Sequence, residues 1–194
     1  MLLNEIGWVY PVPDAPDGRR AVVSDGFHLP GAKQDGKLLR THWGVDIMYR
    51  RPAAGKPKLP WQSKHYEVLP ETPVVASGHG VVAFARMQPR GNEVHIYHGD
   101  EPDRVETGYM HLRTMSVAVG DRIVAGTQIG TVGWDVKPGA HGLAHLHFQV
   151  WIGKGQARRR IDPGAYIEKW RHVSATKAAS IVPCPVCGGS GTVS

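Results

Sequence analysis

The stretch Ala144-His145-Leu146-His147-Phe148-Gln149-Val150-Trp151-Ile152 constrains the fold of this chain more than any other. Side chains alternate along a strand, so Ala144, Leu146, Phe148, Val150 and Ile152 share one face, and His145, His147, Gln149 and Trp151 share the other. The first face is apolar and must be covered by the rest of the protein. The second holds two imidazoles on a rigid support, which suits a metal site and equally suits two hydrogen-bonded surface histidines.

The remaining pattern is one of short strands. Pro73-Val74-Val75-Ala76, Gly80-Val81-Val82-Ala83-Phe84-Ala85 and the alternating Glu93-Val94-His95-Ile96-Tyr97-His98 follow one another closely, and Val117 to Gly133 repeats short β pieces punctuated by glycine. The chain has 24 Gly and 15 Pro but only three Phe, and no long helical periodicity, so a turn-rich β protein is expected and a helical bundle is not. At 194 residues one well-filled core fits. The expected architecture is mainly β: a small antiparallel β-sandwich or hybrid domain with long loops and a short C-terminal appendage. Its parts are a loop-rich segment over residues 1–39 packing on the domain, the domain itself over 40–167, and a tail over 168–194.

Only Cys184 and Cys187 occur, so no internal disulfide staples the main domain. No apolar run approaches the roughly 18 residues of a membrane span, so no membrane insertion is expected. Residues Met1 to Gly7 carry an early acid and no basic residue, unlike a secretory signal, which predicts synthesis in a cytoplasm. The formal charge of +6 favours polyanionic surroundings such as an anionic cell wall. Much of the excess lies in Lys154 to Arg160 without interleaved aromatics. That reads as a solvated basic loop, and nucleic acid is not an expected partner.

Other imidazoles recur upstream of the opening strand. His42 and Asp46 lie four residues apart around Gly44, an arrangement that fits either metal ligands or a simple His–Asp hydrogen bond. Tyr109-Met110-His111-Leu112 adds another histidine, and Pro138-Gly139-Ala140-His141-Gly142 leads into the histidine-bearing strand.

Taken together, His42-x-Gly44-x-Asp46, Pro73-Val74-Val75-Ala76 with Gly80-Val81-Val82, Tyr109-x-His111-Leu112, Gly120-Asp121 through Gly126-x-Gln128-Ile129-Gly130, and His145-Leu146-His147-Phe148 resemble the lysostaphin-type, or LytM-like, zinc endopeptidases. The resemblance covers roughly residues 40–167. It implies a metallopeptidase with one catalytic Zn²⁺ held by His42, Asp46 and His147, and with His111 and His145 as catalytic histidines. Trp43, Tyr109 and His141 are the substrate contacts expected beside them. Two imidazoles and one carboxylate leave a fourth tetrahedral position open, which is the catalytic ligand count. The implied substrate is peptidoglycan, cut at peptide cross-links or bridges at the bacterial cell wall. Without an export signal, a phage lysis or virion protein is the expected setting. Gln149 stands where the family usually has Glu, which predicts tuning and not loss.

Cys184-Pro185-Val186-Cys187-Gly188-Gly189-Ser190-Gly191 resembles one knuckle of the DnaJ-type zinc-binding repeats and supplies half of a Cys₄ site. A monomer is expected, or a metal-bridged dimer if a second subunit completes that site. Two non-enzymatic alternatives are a wall-binding or regulatory module of the same fold and a lipoyl-type carrier. The carrier needs a target lysine where His111 stands.

Overall fold

The computed structural model describes residue 3 and residues 7–53, 63–89, 91–100, 104–133 and 144–174. Its strands are β1 (Ala21–Asp25), β2 (Lys33–Gln34), β3 (Lys37–Leu38), β4 (Val45–Arg50), β5 (Tyr66–Glu67), β6 (Pro73–Val75), β7 (Gly80–Gln88), β8 (Gly91–His98), β9 (Val105–Met115), β10 (Arg122–Ile123), β11 (Gln128–Val132), β12 (Leu146–Ile152) and β13 (Arg159–Ile161). One short helix, α1 (Gly164–Ile167), follows. Among the described residues no helix is long and apolar enough to cross a membrane.

The main sheet runs β1-β4-β12-β9-β8-β7-β10, and every pairing between named strands is antiparallel. The expected mainly antiparallel β architecture is therefore the observed one. The strand that opened the sequence argument sits near the middle, with β4 on one side and β9 on the other. Register puts Ile47 beside Leu146, Val45 beside Phe148, and Phe148 beside Tyr109, so one continuous apolar face is built from residues distant in sequence. Leu146, Phe148, Val150, Val94 and Ile96 are all buried in a single core. Beside them lies His98, the inward member of the β8 alternation, whose Nε2 is 2.7 Å from the Thr107 hydroxyl and whose Nδ1 donates to the His79 carbonyl.

The N-terminal segment enters this core as well. Trp8, Tyr10, Val12 and Ala15 are buried in it, and Trp8 stacks on Trp170 with ring centroids 4.9 Å apart. Parallel bridges join Val9 to Arg171 and Asp14 to Ser174. Ala21-Val22-Val23, apolar and β-branched between two Asp-Gly turns, becomes the edge strand against β4. The two ends of the described chain thus close one side of the sheet and leave its other face to carry the polar side chains of β4, β12 and β9.

Candidate active site

Asp46 and His147 form one register pair between β4 and β12, so alternation directs both side chains to the polar face together. Asp46 Oδ1 lies 2.9 Å from His147 Nδ1. His42 approaches from the segment before β4, which is pinned by reciprocal backbone hydrogen bonds with His28. Its Nδ1 donates to the Gly26 carbonyl at 2.5 Å, leaving the Nε2 lone pair 3.0 Å from Asp46 Oδ1 and 3.0 Å from His147 Nδ1. Gly44 makes this approach feasible, because a Cβ there would stand 2.4 Å from the Phe148 carbonyl oxygen and 2.9 Å from His147 Nε2.

Three ligand atoms therefore converge from buried side chains. Two imidazole nitrogens 3.0 Å apart, each beside the same carboxylate, require a shared proton or cation between their lone pairs. The donor set, two neutral nitrogens and one anionic oxygen, fits zinc and leaves an open position. Burial by itself would raise the Asp46 carboxyl, but the close contacts with His147 and His42 and the charges of His145 and His42 hold it well below the ordinary range. Burial disfavours the charged form of His42; Asp46 outweighs that effect, with help from the Gly26 carbonyl and Asp25, and raises its pKa.

His145 and His111 complete the cluster. His145 Nε2 is 3.4 Å from Asp46 Oδ1, and its ring meets that of His111 edge-on with centroids 4.9 Å apart. The His111 ring lies 5.9 Å from that of His147. His111 reaches the site through an irregularity: its φ is +65° in the middle of β9, and the pairings of β9 with both β8 and β11 shift register nearby. A left-handed residue inside a strand advances the alternation by one step.

That step corrects one sequence expectation. Plain alternation puts Tyr109 and His111 on the same face, and Tyr109 is expected to touch substrate. It is instead fully buried in the core, where its hydroxyl accepts from the Ser77 N–H and meets Thr107, while Met110 and His111 line the groove. Trp43, 37% exposed, lines the same groove. His141, Cys184 and Cys187 lie outside the described residues.

Around these side chains runs a groove of about 450 Å³ bounded by Arg40, Thr41 and Trp43 on one part and by Gln88, Gly91 and Glu93 on another. Gln149 forms part of its floor, with Nε2 2.7 Å from His147 Nε2 and Oε1 accepting from Arg160 Nε at 3.0 Å. Arg160 comes from the segment read from sequence as a solvated basic loop. The structure folds two of its arginines back: Arg158 forks onto both oxygens of Glu106 at 2.8 Å and lies over Trp151, and Arg160 lies over Trp151 and Trp43. Arg160 lies in β13, paired with Trp151 of β12, and Arg158 just precedes that strand. Glu106 also accepts from His95 Nδ1 at 2.6 Å, and Glu93 contacts His95 Nε2 at 2.6 Å, so His95 is raised in pKa despite its burial.

An antiparallel β fold with a convergent His/Asp/His set and two further histidines defines a metallopeptidase-type site. The model of Peptidase family M23 matches residues 60–163, more than half of the chain. The chain belongs to that family, whose members are zinc metallopeptidases. His111, His145 and His147 fall inside the matched span, and His42 and Asp46 precede it. The chain is 32% identical over 111 residues to the glycyl-glycine endopeptidase ALE-1 of Staphylococcus capitis, covering 56% of this chain and 29% of that protein. It is 38% identical over 82 residues to the peptidoglycan DD-endopeptidase ShyA of Vibrio cholerae, covering 42% of this chain and 18% of that protein. This chain thus spans less than a third of either relative. A zinc-containing peptidase from Vibrio cholerae has a similar structure, with a TM-score of 0.52 and 25% identity over 82% of this chain and 40% of that one.

Proposed function

We propose that this protein is a zinc-dependent endopeptidase that hydrolyses peptide cross-links or bridges of bacterial peptidoglycan. The observation that carries the reading is the convergence of His42 Nε2, Asp46 Oδ1 and His147 Nδ1 within 3.0 Å of one another, with His145 and His111 beside them. Family membership and the peptidoglycan endopeptidases among its relatives support the substrate class. The net charge of +6 suits an anionic wall.

In this reading His42, Asp46 and His147 hold zinc, which when bound polarises the scissile carbonyl and lowers the pKa of the attacking water. Gly26 fixes the proton of His42 on Nδ1 and so keeps Nε2 available as a ligand. His111 and His145 accept the proton from the attacking water and return it to the departing amine, the reversible transfer imidazole is suited to. Once protonated, the same imidazoles face the oxyanion with positive charge. Asp46, already ionised, holds His145 Nε2 3.4 Å from its own Oδ1, beside the three converging ligand atoms. Trp43 forms an apolar wall for the peptide.

The test is mass spectrometry of fragments released from purified peptidoglycan, with and without a zinc chelator. New peptide termini that disappear on chelation are expected, and their sequence identifies the bond. Bound zinc with no release from several wall types would replace the enzyme by a wall-binding module of the same fold.

A further inference from the structure

Arg160 is placed with unusual care for an exposed arginine. Its Nε donates to Gln149 Oε1, and its guanidinium carbon lies 5.3 Å from the buried Trp151 ring and 5.7 Å from the Trp43 ring. The hydrogen bond uses Nε alone. Among the described residues no carboxylate pairs with its two terminal nitrogens. The neighbouring Arg158 is neutralised by Glu106, and Arg19, Arg51 and Arg113 each have a carboxylate partner. Arg40, on the groove wall beside Trp43, likewise has no ion pair among the described residues. Of the acidic residues on the groove lining, Glu93 is engaged by His95 and Asp46 by the histidine cluster.

Position gives this arrangement meaning. Gln149 joins Arg160 to His147, so the guanidinium stands two hydrogen bonds from the candidate metal ligands. Both Gln149 and Trp43, its contacts on this side, line the groove. A planar guanidinium edge held in place by two indoles is preorganised for a carboxylate, and the apolar Trp43 surface strengthens the pair by excluding water.

We propose that Arg160 forms a carboxylate subsite at the edge of the groove, where it meets the lining residues Trp43 and Gln149. It selects cross-links in which the residue donating the scissile nitrogen keeps a free carboxylate, over neutral bridges such as oligoglycine. The proposal rests on the peptidoglycan reading and narrows its substrate class. A neutral bridge leaves the terminal nitrogens of Arg160 without a partner.

Purified cross-linked muropeptide dimers carrying that carboxylate, and the same dimers with a carboxamide in its place, test the idea on the zinc-loaded protein. The wild type is expected to favour the carboxylate about tenfold to a hundredfold in kcat/KM, mainly through KM, as for a charge-assisted hydrogen bond. Arg160→Gln should collapse that ratio toward one. If Arg160 served only to position Gln149, the variant would slow both dimers in proportion and preserve the ratio, which overturns the proposal. Failure of the wild type to cleave either dimer counts against the peptidoglycan reading itself. The subsite is then judged by calorimetric titration of N-acetyl-D-alanyl-D-alanine and its C-terminal amide. A carboxylate preference present in the wild type and absent in Arg160→Gln supports it, and equal affinities for the two ligands overturn it.

Discussion

Asp46 Oδ1 stands 2.9 Å from Nδ1 of His147, 101 positions further along the chain, because the two residues occupy one register pair of the β4/β12 ladder. A one-residue slip of either strand would turn one of them into the core. The Leu146–Ile47 and Phe148–Val45 contacts beside them forbid that slip, so core packing and the ligand set are enforced by the same register.

The two sets of histidines should separate experimentally. His147→Ala removes a proposed ligand, and both zinc content and peptide release should be lost. His111→Ala should retain about one zinc per chain while kcat falls about 100-fold to 10,000-fold, as expected for loss of a proton-transfer group. Metal analysis alongside fragment release distinguishes them. Equal zinc loss in the two variants would reverse the assigned roles.

The left-handed backbone of His111 carries its own prediction. A non-glycine residue at φ +65° inside a strand costs on the order of 1 kcal/mol, which glycine does not bear. His111→Gly should therefore be inactive yet no less stable than His111→Ala, with an advantage of about 1 kcal/mol in urea unfolding. A less stable glycine variant would show that His111 is not strained.

How much of this was readable beforehand follows from where alternation holds. The two faces of β12 and the alternation of Val94, Ile96 and His98 against His95 and Tyr97 follow from period-two patterning. Alternation failed at Tyr109 because the phase change at His111 is set by tertiary pairing to β8 and β11, and no local residue announces it. The metal-site candidates came through motif spacing, but the pinning of His42 by Gly26 and His28 joins a segment before β1's partner strand to its own upstream loop, a contact no pattern encodes. Arg158 and Arg160 are exposed as their segment was read, but their partners, Glu106, Trp151 and Gln149, belong to other strands and no local pattern announces them.

Gln149 sits between two nitrogen groups that a carboxylate would satisfy together. With zinc on His147 Nδ1, the imidazole proton resides on Nε2 and needs an acceptor, as does Arg160 Nε. One amide oxygen cannot fully serve both while its NH₂ faces a donor. Gln149→Glu should accordingly tighten zinc binding about tenfold, within the range of outer-sphere effects on metal affinity. A competition titration with a chromophoric chelator measures it. Unchanged or weaker zinc affinity would refute the donor-conflict argument.

Stability should fall on acidification from neutrality, and His98 is the first group responsible. Burial lowers its pKa from 6.5 to about 4. Between those values the unfolded chain binds a proton that the folded chain does not, so stability is full above pH 6.5 and declines toward pH 4, by roughly 3 kcal/mol for this group. Glu106 acts lower: despite its burial, hydrogen bonds from His95 and Arg158 depress it from 4.5 to about 2, so its contribution persists down to pH 4.5 and fades as pH falls toward 2. His95 has the opposite sign. Burial opposes its charge, but Glu106 and Glu93 raise its pKa, so its contribution is full below pH 6.5 and is lost as pH rises through the raised value. Urea unfolding of the wild type and His98→Gln at pH 7 and pH 4.5 isolates the first effect. The variant is expected to be less stable at pH 7 but to lose much less on acidification, and identical losses in the two proteins would show that His98 does not set the acid limit.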